Sequence, residues 1–580
     1  VKCSVVVRSL DDHPEFNALS YTWGNLDKTT LITINGHVVP VTVNLEIALR
    51  HLRDHKNRKL VKPTALPIWV DAICINQPDL NERNHQVRLM KDIYTNAVQV
   101  LAWLGTGDDH TDWIFEQCNR NDLKRAWVRP PPHTAFDDLD ETFSLALDIQ
   151  HIKILTRPWW TRVWVIEEVV LAASDPVVIC GYSSAYWSDY MHLVEATIGW
   201  GRDEAYPLWE SNKRHPDIHN SYKKEGAFSP NAFMFRNLRE EYLREKGIAC
   251  CEILRIAEEC QATDPRDYLY GCLSILKPEV SLSINIDYTE HPFKVFQDAM
   301  RAIINYEPKT LFRWSIQSVA FNPSSPVTPS WVPDFANMYD GYTAGLSSIG
   351  LEKHGRADKW WRLPQVSLSS GSDILRISGI RLDTVSEVVV LDPFNKSAST
   401  PKTRLQLESK ARTALAQPIP SSHHCSALND LKTRSHILDI FTCDLLGNVT
   451  DEEKDVLWEV LMRRKSIQDT LQAFSGAERH HLKKCTAILW DRHQLKVLYR
   501  SLIISKAGFV AVGSRAAKEG DELAYLFGMS IPVILRPGKD GKGYTIVGWA
   551  YVSGLMNSWI LDEYDQKQAF HNLETTFNIY

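Results

Sequence analysis

At 580 residues the chain is too long for one hydrophobic core, and roughly two to four domains are expected. A composition of 44% hydrophobic and 23% charged residues excludes a disordered or fibrous chain, and a net charge of −6 excludes a general attraction to nucleic acid or anionic membrane. No apolar run approaches the ~18–20 residues a membrane helix needs, so no membrane span is expected.

The first ten residues read as a strand and not as a signal peptide. The 11 cysteines are odd in number and contain no CxxC, so reduced thiols and a cytoplasmic or nuclear location are expected, with cytoplasmic preferred. Phe16 to Trp23 reads as a strand that turns at Gly24. Residues 31–43 carry a hairpin signal, with Asn35-Gly36 as a type I′ turn. Asn44 is then expected to cap a helix over residues 45–52.

Residues 68–75 are mostly apolar and read as a strand buried on both faces. Asp71 stands inside that run, where an unpaired carboxylate is costly, so it needs a cationic partner. Asp79 or Asn81 opens a helix through Tyr94, and residues 98–104 form the next strand, ended by Gly105. Strand–helix–strand alternation predicts an α/β domain with a parallel sheet. Ligands in such sheets sit at the carboxyl ends of the strands, here Trp23-Gly24, Cys74 to Gln77, and Leu104-Gly105. Residues 108–149 read as an irregular insertion.

The chain then reaches its densest stretch, Arg157-Pro-Trp-Trp-Thr-Arg-Val-Trp-Val-Ile-Glu-Glu-Val-Val-Leu-Ala172. Pro158 suits the first turn of a helix, and the spacing places Trp164 and Glu168 one turn apart on one face. Burial would raise the Glu168 pKa, whereas Arg157 or Arg162 would lower it. That combination suits a chemical site, but residue types alone favour the plainer reading, an Arg–Glu pair locking a helix into the core. Residues 173–300 read as helical with loops, 395–424 as a Ser/Thr/Lys/Pro-rich linker, 428–481 as helical, and 507–556 as short strands with glycine turns.

Other chemistry finds little support. His423, His424 and Cys425 are consecutive, and the adjacent His480 and His481 point apart on a helix, so a metal site is not expected. No phosphate-binding glycine loop and no GxSxG elbow is present. Ser20 could be a nucleophile only with His51 or His85 beside it, and Cys74 reads as a core thiol. Asp79 and Glu82 suit a helix N-terminus, while Arg83 and Arg88 read as phosphate contacts or, preferably, solvated helix charges.

Three blocks carry a resemblance: Ala18-Leu-Ser-Tyr-Thr-Trp-Gly24; Trp69-Val-Asp-Ala-Ile-Cys-Ile-Asn-Gln77, continuing through Asp79, Glu82 and Gln86; and the tryptophan-rich stretch. In this order and spacing they resemble the fungal heterokaryon incompatibility (HET) domain over about residues 15–172. Weaker echoes follow at residues 263–270 and 329–335 and in the glycine-rich C-terminal region. The family usually has Gln-Glu where this chain has Glu167-Glu168.

The resemblance implies a flavodoxin-like parallel sheet, because HET domains look distantly like TIR domains. It implies an effector of self/non-self recognition and programmed cell death. Some TIR domains cleave the glycosidic bond of NAD+ with one glutamate four positions after a tryptophan, the spacing of Trp164 and Glu168 here. Glu168 is then the candidate catalytic residue. Ser20, Tyr21, Trp23, Gly24, Asp71, Asn76, Gln77, Arg157 and Trp164 are the candidate substrate-binding residues. No cofactor is expected, with NAD+ as a substrate. The alternatives are a scaffold that self-associates or joins other cell-death proteins, and a metabolic enzyme with a pocket for an apolar small molecule.

The expected division is a HET domain at 1–172, a helical or mixed region at 173–394, a linker at 395–426, and a helical plus small β region at 427–580. Trp23, Asp71 and Trp164 are expected to be buried together. Arg157 or Arg162 is expected to pair with Asp71, and Glu167 to lie nearer solvent or to pair with one of those arginines.

Overall fold

The fold is described from a computed structural model, over residues 1–54, 66–119, 153–198, 231–308, 329–335, 366–368, 373–390, 401–423, 450–461, 479, 482, 485, 501–527, 532–539, 541–552 and 574–580. Two units divide the chain: Val1–Ala249 with Glu259–His291, and Cys250–Glu258 with Pro292–Tyr580.

The first unit is built on a five-stranded sheet. β2 (Asn17–Ser20) pairs in parallel with β5 (Ile68–Trp69) on one side and with β6 (Gln99–Trp103) on the other. β6 continues in parallel to β7 (Val177–Cys180), and β8 (Ser183–Tyr186) closes the edge antiparallel. β2, β6 and β7 are buried along their whole lengths, as strands covered on both faces should be. Leu19, Tyr21, Leu101, Trp103, Val177 and Ile179 form a core with Leu45 and Ala48 of the helix Val43–Asp54.

β1 (Lys2–Cys3), β3 (Thr29–Ile34) and β4 (His37–Thr42) make a separate small sheet. The β3–β4 hairpin turns at Asn35 and Gly36, both with positive φ, as the type I′ turn requires.

Four expectations change. The sheet does not end near residue 172, because β7 and β8 follow the tryptophan-rich stretch and the unit runs on to His291. The run at 68–75 is not one strand: β5 is two residues long, and Asp71–Cys74 is a helical turn. Asp71 opens that turn and its Oδ1 accepts from Ala72 N at 2.7 Å, so the carboxylate leaves the sheet instead of being trapped within it. Nor does one helix start at Pro158. A 3₁₀ turn, Pro158–Thr161, is followed by an extended Arg162, and the helix is Trp164–Val170. The fourth is the linker, which contains the helix Pro401–Ala416. Its Leu, Lys, Arg, Gln, Glu and Ala are strong helix formers, and Pro401 sits at its first position.

The second unit contains a closed barrel. β10 (Leu375–Val390), β11 (Ser501–Ser505), β12 (Val510–Gly513), β15 (Tyr544–Val552), β14 (Val533–Pro537) and β13 (Glu522–Leu526) pair in that cyclic order, all antiparallel. β9 (Val366–Leu368) and β16 (Glu574–Ile579) pair with the first half of β10. Closure removes the exposed edges of an open sheet. Ile380, Leu382, Val385, Ile503, Phe509, Leu523, Ile534 and Val547 belong to one apolar cluster.

Among the described residues no helix is long and apolar enough to cross a membrane. Most of the expected insertion (120–149), residues 199–230 of the region expected to be helical with loops, and His424, Cys425, His480 and His481 lie outside the described residues.

Candidate functional site

The carboxyl ends of the parallel strands carry a connected polar cluster. β2 ends at Ser20, and the chain then turns at Gly24, whose φ of +76° favours glycine. Asn44 braces this turn: its Nδ2 donates to Thr22 O at 2.6 Å, and its Oδ1 accepts from Trp103 Nε1 at 3.2 Å. It does so from inside the helix Val43–Asp54 and not as its cap: Thr42, two residues earlier, accepts from Leu45 N through its Oγ1 at 3.4 Å.

The braced turn presents Trp23. Its Nε1 donates to Asp71 Oδ2 at 2.8 Å, and Asp71 is only 8% exposed. Arg162 faces the same carboxylate at 3.6 Å and lies 5.7 Å above the Trp23 ring. Its Nη1 donates to Tyr21 O at 2.6 Å and stands 3.8 Å from Glu168 Oε1. The expected arginine partner of Asp71 is therefore Arg162. Burial, and then the Asp71 charge, push the Tyr21 phenol far above its ordinary pKa.

Glu168 is 2% exposed on the helix Trp164–Val170. Burial raises its pKa from 4.5 to about 7, while Arg162 and hydrogen bonding to Ser20 and Tyr94 hold it down. Ser20 Oγ accepts from Trp159 Nε1 at 3.1 Å, which leaves its own hydroxyl proton for Glu168. Tyr94 OH has one proton to share between Leu19 O, at 3.3 Å, and Glu168. Glu168 Oε2 has no hydrogen-bond partner.

The other expected residues divide. Arg157 is not at Asp71: its Nη1 donates to Leu104 O at 3.1 Å and to Cys180 Sγ at 3.0 Å, tying together the ends of β6 and β7. Trp164 is buried; its indole stands 3.5 Å from where a Cβ on Gly271 would lie, and it hydrogen-bonds Asp267. Asn76 is exposed, and its backbone N donates to Glu82 Oε1 at 2.8 Å. Gln77 lies on the same turn, before the helix Leu80–Asn96, which Asp79 caps.

Glu167 reverses its expectation. It is 1% exposed, and neither carboxylate oxygen has a hydrogen-bond partner of normal geometry. Burial lifts its pKa to about 8, opposed by the nearby Ser274 hydroxyl and the Lys91 charge. Arg83 and Arg88 are not free helix charges either. Arg83 stacks 3.7 Å from the Tyr288 ring centroid and lies 3.6 Å from Asp267, and Arg88 bonds Asn285 Oδ1 and Ile286 O.

Sequence reasoning missed Tyr94 and Trp159. Tyr94 follows Val87, Met90 and Ile93 along the buried face of its helix, so helical periodicity could have placed it inward. Trp159 carried no signal separating it from the other tryptophans.

The comparisons with known proteins agree with this architecture. The family model for heterokaryon incompatibility protein (HET) matches residues 16–168. A second, the Het-6 beta-barrel domain, matches residues 453–572 and so covers β11 to β15. The chain is 24% identical to heterokaryon incompatibility protein 6, OR allele, of Neurospora crassa, over 98% of this chain and 93% of that protein. No solved structure matches. The chain thus contains a heterokaryon incompatibility (HET) domain and a Het-6 beta-barrel domain, and it resembles a heterokaryon incompatibility protein along nearly its whole length.

Proposed function

We propose that this chain acts in heterokaryon incompatibility as a self/non-self effector that triggers cell death, and that its α/β unit does so by cleaving the glycosidic bond of NAD+ through Glu168. The observation that carries the reading is a buried carboxylate at the strand ends, 3.8 Å from Arg162, with a pKa of about 7. Such an acid is divided between its two protonation states near neutral pH, which suits proton transfer.

In the reaction the bond from ribose C1′ to the nicotinamide nitrogen breaks, and nicotinamide leaves as a neutral molecule with the electron pair. Ionised Glu168 stabilises the oxocarbenium-like ribose. Water then adds at C1′ and gives its proton to Glu168, yielding ADP-ribose. Trp23, half-buried beside Arg162, offers the aromatic surface for the leaving ring. Since Glu168 is 2% exposed, substrate reaches it only after the side chains that cover it move aside.

The depth of Glu168 also favours a second reading, in which the Asp71–Arg162–Glu168 network is a structural clamp inside a scaffold that signals by self-association. NAD+ consumption by the full chain separates the two. Turnover that Glu168→Gln abolishes supports cleavage. No turnover by wild type in its self-associated state leaves the scaffold.

A further inference from the structure

The helix Asn231–Glu245 lies outside the residues matched as HET, yet it closes the end of the Glu168 helix. Arg239 is 7% exposed. Its Nη1 donates to Val169 O at 2.7 Å, Val170 O at 3.2 Å and Ala172 O at 2.8 Å, and its Nη2 to Ser174 O at 3.0 Å. Carbonyls at a helix C-terminus have no intrahelical donor, and a cation there also complements the helix dipole. One buried guanidinium thus replaces the missing turn after Val170.

The start of the same helix holds the other side of the site. Asn231 Nδ2 donates to Trp160 O at 2.7 Å and to Glu259 O at 2.9 Å. Gln261 runs beside Arg162, accepting from Val163 N at 3.1 Å and donating to Thr161 O. The backbone around Arg162 and the end of the Glu168 helix are therefore both fixed from outside the matched segment. The 3.8 Å between Arg162 and Glu168 exceeds an ordinary hydrogen bond, so these backbone anchors, more than the pair itself, set the spacing.

We propose that Arg239 is a positioning residue for Glu168, holding its carboxylate against Arg162 by fixing the end of the helix that carries it. The effect on NAD+ cleavage rests on the function proposed above; the positioning does not. Lysine cannot take its place, since a compact ammonium with three donors cannot span four carbonyls, and methionine would leave all four without a donor.

The test uses the full chain as wild type, Arg239→Lys and Arg239→Met. The Glu168 carboxyl is titrated by infrared difference spectroscopy, with Glu168→Gln identifying its band, and amide exchange is followed over residues 169–174. The Glu168 midpoint is expected to fall from about 7 toward the ordinary carboxylate range as water enters, further in the methionine than in the lysine variant. Exchange over 169–174 is expected to quicken roughly tenfold or more, and any NAD+ turnover to lose kcat with KM retained.

A folded variant with faster exchange but an unmoved midpoint would make Arg239 a local staple and overturn the proposal, as would no change in either. Should Arg239→Met fail to fold, Arg239→Lys decides. Absence of NAD+ turnover in wild type would overturn the proposed function, and the midpoint and exchange would still decide the role of Arg239.

Discussion

Arg162 stands 3.8 Å from Glu168 and 3.6 Å from Asp71, yet it gives its shortest bond, 2.6 Å, to the Tyr21 carbonyl. One guanidinium thus ties two carboxylates to the backbone that follows β2. The two acids differ in support. Asp71 also accepts from Trp23 Nε1 and Ala72 N, whereas Glu168 Oε2 accepts from nothing. Asp71 is the more firmly anchored of the two, and Glu168 keeps one oxygen without a partner.

That asymmetry predicts different costs of substitution. Asp71→Ala removes the Trp23 acceptor and one of the two charges facing Arg162. Losing one partner of a largely buried pair costs ~3–5 kcal/mol. Asp71→Asn keeps an acceptor for Trp23 and should cost less. Glu168→Gln preserves shape and should leave the unit folded. Urea unfolding followed through the unit's tryptophans measures this, and equal midpoints for wild type and Asp71→Ala would show that no clamp exists.

Glu167 predicts a pH dependence. Its folded pKa of about 8 exceeds the unfolded 4.5, so the folded state holds the proton more tightly. Its contribution to stability is full below about 4.5, falls as pH rises through the window, and is gone above about 8. Glu167→Gln has no proton to lose, so its stability relative to wild type should grow across that window by a few kcal/mol. Chemical denaturation of both proteins at roughly pH 5, 6.5 and 8 reads the trend. A difference independent of pH would mean that Glu167 does not titrate upward.

The parallel core was legible because β2, β6 and the hairpin follow simple patterning: apolar runs, and Asn35-Gly36 at the turn. The Asp71–Arg162 pair was legible because a carboxylate in an apolar run must find a cation. What failed were statements about direction and continuity. Trp164 and Glu168 share a helix, but their surroundings differ, and only the positions of Gly271, Asp267 and Ser20 decide which wall each meets. Glu167 was placed toward solvent because helical spacing says nothing of a second layer, here Ser274 and Lys91, on its far side. The barrel was half visible: β11 to β15 lie together in sequence, but β10 precedes them by more than a hundred residues, and closure depends on it.

Arg157 tests whether the arginines of the tryptophan-rich stretch share one task. It bonds Leu104 O and Cys180 Sγ and takes no part in the Asp71 cluster. Arg157→Met should therefore destabilise the β6–β7 ends by ~1–3 kcal/mol, the cost of orphaned buried acceptors. The Glu168 titration midpoint should stay in place. If Arg157→Met moves that midpoint as far as Arg162→Met does, the two arginines act on Glu168 together and the separation drawn between them is wrong.

Two glycines in the barrel predict unequal costs for the same substitution. Gly379 lies where β10 is paired on both sides, with Leu526 of β13 and Thr575 of β16. A Cβ there would stand 2.4 Å from Tyr525 O and 2.9 Å from Leu526 Cα, both backbone atoms held by the ladder. The strand cannot yield without breaking its pairing, so Gly379→Ala should cost about 3 kcal/mol or more. Gly520 has a φ of +90°, and a Cβ added there would meet nothing within 4 Å, so only backbone strain opposes alanine, ~1–2 kcal/mol. Amide exchange in β10 and β13 should accelerate strongly in the first variant and weakly in the second. Equal acceleration, or the reverse order, would show that β10 does not pass between β13 and β16 as tightly as this register requires.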